Sequence, residues 1–257
     1  MSLIIDAGHQ GVGFDPGAIG NGIIEADLVL KISLYQYDRF KELGVPVKIT
    51  RTKTQKLTNS ERAKLVKNSK MKHCISNHIN AGGGDGAEVI YSIHSKPTFA
   101  QIVLDALTAV GQNSRKIFTR KSNNSYHDYY YMHRDTGAVE TIIVEYGFLD
   151  SKKDDVHQLK NDWQKYAEAV VKAYCSFAGY KYKTPKVDAE TNKGDNGMLK
   201  FSSNTFKNEM VTFLENAHKR GLLSSHSWIN QAKEGKLSKD DTISLIVTIM
   251  NRSEKSE

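Results

Sequence analysis

Along residues 1–180, short apolar runs alternate with longer segments in which apolar residues recur at helical spacing. Short apolar runs predict buried strands, and recurrence every three to four residues predicts amphipathic helices. Strands are predicted at 3–6, 45–50, 89–93 and 141–144 and in the stretch that ends near His78. Helices are predicted from Glu25 to near Gly44, after the Thr58–Glu61 capping box, from Pro97 to 110, and from 156 to 177. This alternation is typical of an α/β fold.

The pattern changes after residue 180. Residues 181–198 are polar, with Pro185 and two glycines, and predict a linker. Residues 199–257 contain three amphipathic segments, the last of which begins at Ser238 and has apolar residues on two sides. The prediction is a catalytic domain at 1–180, a linker at 181–198 and a small all-α domain at 199–257. Apolar surface in excess of what three short helices bury predicts homo-oligomers formed through this last domain.

Composition narrows the class of protein. A chain of 257 residues can bury a full core beside a second small domain. No run approaches the roughly 18 apolar residues of a membrane span, so membrane insertion is not expected. Met1 leads directly into the first strand, so the expectation is synthesis in the cytoplasm without a signal peptide. The net charge of +7 favours polyanionic partners, but its basic residues form no clustered stripe or RNA-binding signature, so nucleic acid is not expected.

Four side chains beside the predicted strands and at the start of a helix have the chemistry of a zinc hydrolase. His9, Glu25 and His78 supply two imidazoles and one carboxylate, which are zinc ligands that leave one position open. Such a site also needs an acid/base, because water must lose a proton and the leaving group must gain one. Glu145 follows a β-branched run, so we expect it at a strand end, near apolar walls that raise its pKa.

Each of these residues has a structural alternative. A lone histidine at a strand end is more often hydrogen-bonded within the fold than bound to metal. An acidic residue such as Glu25 is favoured in the first turn of any helix by the helix dipole. Other ligands are also available in the sequence: the thiol of Cys74 and the imidazoles of His94, His127 and His133. Cys74 and Cys175 otherwise fit buried, reduced thiols rather than a disulfide framework.

Four motifs together resemble the zinc-dependent N-acetylmuramoyl-L-alanine amidases of the amidase 3 type. They are DAGHQG at 6–11, the glutamate that opens the first long helix, SNHIN at 76–80 and VEYGFLD at 144–150. The resemblance extends over residues 1 to about 178 and includes Thr50-Arg51 and Glu61-Arg62. This chain departs from the family at Gln10, where glycine is usual, and at Ser76-Asn77, where serine-isoleucine is usual.

The resemblance implies a fold, an activity and residue roles. The fold would be a mixed, twisted sheet flanked by helices. One Zn²⁺ per catalytic domain would be held by His9, Glu25 and His78, and Glu145 would be the catalytic acid/base. The reaction would cleave the amide between N-acetylmuramic acid and L-alanine of bacterial peptidoglycan. The same ligands could instead serve a zinc peptidase that cuts within the stem peptide, and a non-catalytic wall-binding protein is a further alternative.

Substrate contacts and context are also expected from the sequence. Asn80 and Arg51 could orient substrate, although each could equally be structural. The tyrosine-rich segment 122–135 suits sugar and peptide contacts, so we interpret it as a wall of the cleft. With the resemblance, the positive charge, which is split between both parts of the chain, suggests anionic wall polymers as partners. We interpret the C-terminal domain as a cell-wall-binding module that holds the catalytic domain near its substrate. The expected context is a phage or prophage endolysin that reaches the wall through a membrane lesion, with a mother-cell autolysin as alternative. A free C-terminal fragment starting at Met198 is a further hypothesis.

Overall fold

A computed structural model describes residues 1–123, 126–185 and 204–253. It divides into two compact units, residues 1–184 and 185–257. The first unit contains β1 (Leu3–Ala7), β2 (Ile19–Gly20), β3 (Ile23–Ile24), α1 (Glu25–Glu42), β4 (Val47–Ile49), α2 (Asn59–Asn68), β5 (His73–Asn80), β6 (Ala87–Tyr91), α3 (Thr98–Ala109), β7 (Ser114–Phe118), α4 (Tyr131–Arg134), β8 (Glu140–Phe148), α5 (Asp155–Asn161) and α6 (Trp163–Ala178). The second contains α7 (Asn204–Lys219), α8 (Ser227–Glu234) and α9 (Lys239–Ser253).

Six strands form one mixed sheet in the order β4-β1-β5-β8-β6-β7. Strands β4, β1, β5 and β8 are parallel neighbours, whereas β6 runs antiparallel to β8 and parallel to β7. The predicted α/β class and mixed sheet are therefore confirmed. Strand β7 was not predicted, because its SRKIF sequence is largely exposed at the edge of the sheet and lacks a buried apolar run.

Alternate residues of the central strands pack on opposite faces of this sheet. Leu3, Ile5, Ile75 and Val144 belong to the core under α1, α3 and α6, with contacts that include Phe40, Phe99 and Val170. Ile4, Cys74, Ile90 and Ile143 instead pack with Val66 of α2 and Met132 of α4. Since side chains alternate along a strand, Asp6, Ser76, His78 and Glu145 share this second face. The candidate chemistry therefore lies on the side of α2 and α4.

Several predicted boundaries differ from the structure. The loop expected at 8–22 contains one strand of the small β2–β3 hairpin. The single helix expected at 156–177 is two helices, because the backbone leaves the helical region at Asp162 (φ −109°, ψ 5°). The capping box is confirmed: Thr58 Oγ1 accepts from Glu61 N, and the Glu61 side chain accepts from Thr58 N.

The end of the first unit extends beyond residue 180. Arg39 Nη2 donates to Lys183 O at 2.8 Å, and Tyr182 Oη donates to Glu168 Oε1 at 3.0 Å. These contacts group 181–184 with the first unit. Most of the predicted linker, and Met198, lie outside the described residues. Both cysteines are buried and free, as expected.

The second unit buries a small core of its own. Its buried leucines and isoleucines are Leu214, Leu222, Leu223, Ile229, Leu237, Leu245 and Ile249. Of the apolar residues on the two sides of the last segment, Leu245 and Ile249 are buried, whereas Val247 and Met250 are exposed. Phe213 of α7 is exposed as well. The side chains of Phe206 and Ile243 lie outside those described. Within the described parts of the chain, we find no helix with the length and apolar character needed to span a membrane.

Candidate metal centre

The three predicted ligands come from three elements that meet at one end of the sheet. His9 lies two residues after β1, Glu25 is the first residue of α1, and His78 lies in β5. His9 Nε2 lies 2.9 Å from Glu25 Oε1, and His78 Nδ1 lies 3.0 Å from the same oxygen. The two ring centroids are 5.0 Å apart. One ligand atom from each residue lies within 4.8 Å of the other two, so they can meet around one ion.

The surrounding hydrogen bonds orient these atoms for a metal. Both carboxylate oxygens of Asp15 lie 3.1 Å from His9 Nδ1, which leaves His9 Nε2 facing the centre. Glu25 Oε2 accepts from Ala18 N at 2.9 Å, and Glu25 Oε1 accepts from Ile79 N at 3.0 Å. Two imidazole nitrogens and a carboxylate oxygen, held this way, fit zinc with an open coordination position.

Two positions beside this centre, Gly8 and Gly17, have no space for a side chain. A Cβ at Gly8 would lie 2.6 Å from the His78 ring, and one at Gly17 would lie 2.6 Å from Glu25 Oε2. Gly17 also has φ +67°, a conformation that other residues rarely adopt. His9 itself has φ 60°, a left-handed backbone that is uncommon outside glycine and often found at functional sites.

Charge within the cluster is distributed unequally. Burial opposes ionisation of Glu25, but hydrogen bonds and charge from His78 and His9 outweigh burial and place the pKa of Glu25 well below its usual range. Burial also opposes protonation of His9, yet contacts with Glu25 and Asp15 raise the pKa of this imidazole above its ordinary value. Positive charge is therefore favoured at the point where the two rings face Glu25.

Glu145 lines the same cavity, but its pKa is shifted in the opposite direction from that of Glu25. The Glu145 Oε2 atom is buried and has no hydrogen-bond partner among the residues that the structure describes. Burial raises the pKa of Glu145 far above its usual range, and the negative charges of Glu25 and Glu88 add to this effect. The expected strand-end position is wrong: β8 continues to Phe148, because Glu145 is paired with His78 of β5 and Glu88 of β6. The expected apolar walls and raised pKa agree with the structure.

The cavity around these groups has a volume of about 390 Å³. Asn80 lines it, and its amide Nδ2 donates to Glu88 Oε2 at 3.1 Å. Tyr130 and Tyr131 line the same cavity, whereas Tyr126 and Tyr129 are exposed. The tyrosine segment therefore forms part of a wall through two of its members.

Arg51 does not line this cavity. It is buried, and its guanidinium donates to the carbonyl oxygens of Ala7, Gly8 and Ala26 at 3.1, 2.7 and 2.8 Å. These bonds join the end of β1 to the first turn of α1. A role in orienting substrate does not fit this geometry, and Arg51 is instead a positioning residue for the loop that carries His9.

The alternative ligands lie elsewhere. His94, His127 and His133 line a separate cavity, and burial lowers the pKa of His133 to about 4. Cys74 is buried, and burial raises its pKa well above the ordinary value. The two departures at Gln10 and Asn77 also have structural roles. Gln10 Oε1 accepts from Leu57 N, and the Asn77 amide donates to Ser33 and Gln36 on the opposite face of the sheet.

Two important residues were missed in the sequence. Asp15 lies in a glycine-rich loop whose path cannot be inferred from spacing, although an acid six residues after a candidate ligand is a usable signal. Asp6 is completely buried and accepts from Thr50 Oγ1, Ser76 Oγ and the Arg62 guanidinium. It fixes the strand that leads to His9.

Two imidazoles and a carboxylate, facing a protonatable carboxyl group, define the kind of site that metal-assisted hydrolases use. Residues 3–175 match the family model described as N-acetylmuramoyl-L-alanine amidase, and the chain belongs to this amidase 3 family of peptidoglycan amidases. Over 165 residues the chain is 30% identical to the sporulation-specific N-acetylmuramoyl-L-alanine amidase of Bacillus subtilis. The matched region covers 60% of this chain and 58% of that protein.

Solved structures agree with this assignment. Cwp6 from Clostridium difficile is 26% identical and superposes with a TM-score of 0.62, over 70% of this chain and 29% of that one. The catalytic domain of CwlV, an N-acetylmuramoyl-L-alanine amidase from Bacillus (Paenibacillus) polymyxa var. colistinus, shares the fold with a TM-score of 0.61 and 24% identity. That likeness covers 70% of this chain and all (100%) of the CwlV domain. The mixed sheet described above is therefore the fold of amidase catalytic domains.

Proposed function

We propose that this chain is a zinc-dependent hydrolase that cleaves the amide bond between N-acetylmuramic acid and L-alanine of peptidoglycan. The observation that carries the proposal is the convergence of His9, Glu25 and His78 in one cavity with Glu145, whose buried Oε2 atom has no partner in the described parts of the chain. The donor atoms favour zinc over magnesium or calcium, because those ions prefer oxygen ligands and zinc accepts imidazole. The identity of the cleaved bond is inferred from the family to which the chain belongs.

The residues of the chain divide the chemistry between them. When bound, zinc would supply the Lewis acidity that polarises a carbonyl and makes water more acidic. Glu145 would take a proton from the attacking water and return it to the departing alanine nitrogen. Burial raises the pKa of Glu145 above its usual range, which favours a carboxyl group that can hold the proton between the two transfers. Asp15 holds His9 in the orientation that directs Nε2 inward.

The test compares two variants on purified cell walls. Glu145→Ala should retain stoichiometric zinc, measured by elemental analysis, and lose hydrolysis. His78→Ala should lose both. The wild type should release peptides with a new amino group on L-alanine, identified by mass spectrometry. An active Glu145→Ala protein would overturn the role of Glu145. A new amino group on another residue would indicate a peptidase, and wild-type protein without zinc or lytic activity would indicate a wall-binding protein.

We also propose that the second unit holds the catalytic unit at the wall and self-associates. Support comes from Phe213, Val247 and Met250, which are exposed although the unit buries a core of its own. Val247→Ser with Met250→Ser should lower the mass measured by analytical ultracentrifugation, and an unchanged mass would contradict self-association through α9. Binding of anionic wall polymers, the fragment starting at Met198, and endolysin action after release through a membrane lesion stay predictions from the sequence.

A further inference from the structure

A second groove leads away from the metal centre along α2. Its volume is about 710 Å³, and it lies between α2 and the segment 129–137. Asn59, Tyr130 and Tyr131 line both this groove and the cavity that contains Glu145. The two spaces are therefore adjoining parts of one surface depression, and a ligand whose reacting bond lies at Glu145 can continue into the groove.

The residues that line the groove carry a net positive charge. Lys64 and Lys67 are one helical turn apart on α2, both are exposed, and both line it. Neither ammonium group forms a hydrogen bond or ion pair within the described parts of the chain. Arg134 is different, because its guanidinium donates to the carbonyls of Asp128 and Tyr129 and pairs with Asp135. Lys64 also lies near Glu61, where its charge adds to the Thr58 hydrogen bonds that lower the pKa of Glu61. The two lysines are thus the positive charges of the groove that are not held in a hydrogen bond or ion pair among the described residues.

The opposite wall is aromatic and held in place. The rings of Tyr129 and Tyr130 meet edge to face, with centroids 5.1 Å apart, and the Arg120 guanidinium lies 3.8 Å above the Tyr129 ring. Tyr131 packs over Arg62 at 5.8 Å. Flat rings with hydroxyl tips opposite two ammonium groups suit an extended chain that bears carboxylates. A neutral glycan strand could pack on the tyrosine rings but would not form ion pairs with the two lysines.

We propose that this groove binds the acidic peptide part of the substrate, beyond the bond that is cut. The proposal rests on the proposed amidase function, because that reaction places a peptide with free carboxylates on one side of Glu145. Lys64 and Lys67 provide the charge that recognises those carboxylates, and Tyr130 and Tyr131 guide the peptide from the cavity into the groove. The enzyme therefore prefers peptides with free carboxylates over the same peptides with amidated carboxylates.

The experiment uses the zinc-loaded full chain and two soluble muramoyl-peptides that differ only in amidation of their carboxylates. Lys64→Glu with Lys67→Glu should raise KM for the acidic peptide about tenfold, as expected when two exposed attractions become repulsions. KM for the amidated peptide and kcat for both should change less than about twofold. The matched control is Lys165→Glu with Lys172→Glu on α6, which changes the net charge equally outside both cavities.

Several outcomes would overturn the proposal. An equal loss on both peptides would indicate a general defect, and an unchanged KM would place the peptide elsewhere. If the charge-reversed protein does not fold, Lys64→Gln with Lys67→Gln provides the same comparison with a smaller expected effect. If the wild type cuts neither substrate at the muramoyl–alanine bond, the proposed function fails. The groove is still tested in that case by calorimetric binding of the acidic peptide, which both the lysine substitutions and amidation of the peptide should weaken.

Discussion

Replacing Asp6 with asparagine should destabilise the catalytic unit by an amount that depends on pH. The Asp6 carboxylate is completely buried and accepts from Thr50 Oγ1 at 2.9 Å and from Ser76 Oγ at 2.7 Å, in addition to its pair with Arg62. Burial alone would raise the pKa of Asp6. The charge and hydrogen bonds of Arg62 and the hydrogen bond from Ser76 outweigh burial and lower this pKa from 3.8 to about 2.

The magnitude follows from that shift. Because the pKa is lower in the folded state, ionised Asp6 stabilises the fold above the unfolded-state pKa, and this stabilisation is lost as the pH falls through the folded-state value. A lowering from 3.8 to about 2 corresponds to about 2 kcal/mol at ~1.36 kcal/mol per pH unit. Asp6→Asn leaves Arg62 buried without its charged partner, which costs about 3 to 5 kcal/mol near neutral pH. The difference between wild type and variant should therefore shrink by about 2 kcal/mol between about pH 5 and about pH 2.

Urea unfolding of the metal-free full chain measures this difference. The chain has two tryptophans, one in each unit, so a Trp228→Phe background leaves Trp163 as the fluorescent reporter of the catalytic unit. Asp38→Asn is the control, because Asp38 is exposed and lies 3.6 Å from Lys41 in an ordinary surface pair. That variant should differ little from the parent at either pH. If the cost of Asp6→Asn is the same at both ends of the pH range, the inferred buried ion pair is wrong.

Three further predictions concern the loop that carries His9. Gly17→Ala should weaken zinc binding at least about tenfold, whereas Gly44→Ala, at φ +71° in open space, should not; a zinc competition titration distinguishes the two. Asp15→Asn should weaken zinc binding about 10- to 100-fold by the same titration, and unchanged affinity would remove Asp15 as the residue that orients His9. Arg51→Met should lower the free energy of unfolding by about 3 kcal/mol with little change in KM. A raised KM at full stability would restore Arg51 to substrate binding.

Much of the sheet could be predicted because its central strands are buried on both faces. Leu3, Ile4 and Ile5 are apolar in succession, and each side of the sheet takes alternate residues. The reversed direction of β6 was not predictable in the same way, because local sequence does not encode which neighbour a strand will pair with. The break between α5 and α6 was missed because Asp162 interrupts a pattern that otherwise continues in register.

In the site, too, the residue types could be selected from the sequence, whereas the contacts that depend on the fold could not. Side-chain type and position made His9, Glu25 and His78 candidates, and the family resemblance implied that they are ligands; the fold brings their ligand atoms together. Arg51 was selected for its chemistry, but its partners are backbone carbonyls of residues far away in sequence. No sequence pattern reports such partners, since a guanidinium that binds carbonyls and one that binds substrate look alike in the chain.

The pKa difference between the two carboxylates of the cavity depends on the fold rather than on either residue. Glu25 and Glu145 have the same side chain, yet two imidazoles lower the pKa of one, and burial beside negative charge raises the pKa of the other. The charges that act on Glu145 come from α1 and β6, and β6 is brought next to β8 only by antiparallel pairing. A carboxylate suited to hold a cation and a carboxyl suited to exchange a proton therefore arise at neighbouring points of one cavity, because the sheet places Glu145 between Glu88 and His78.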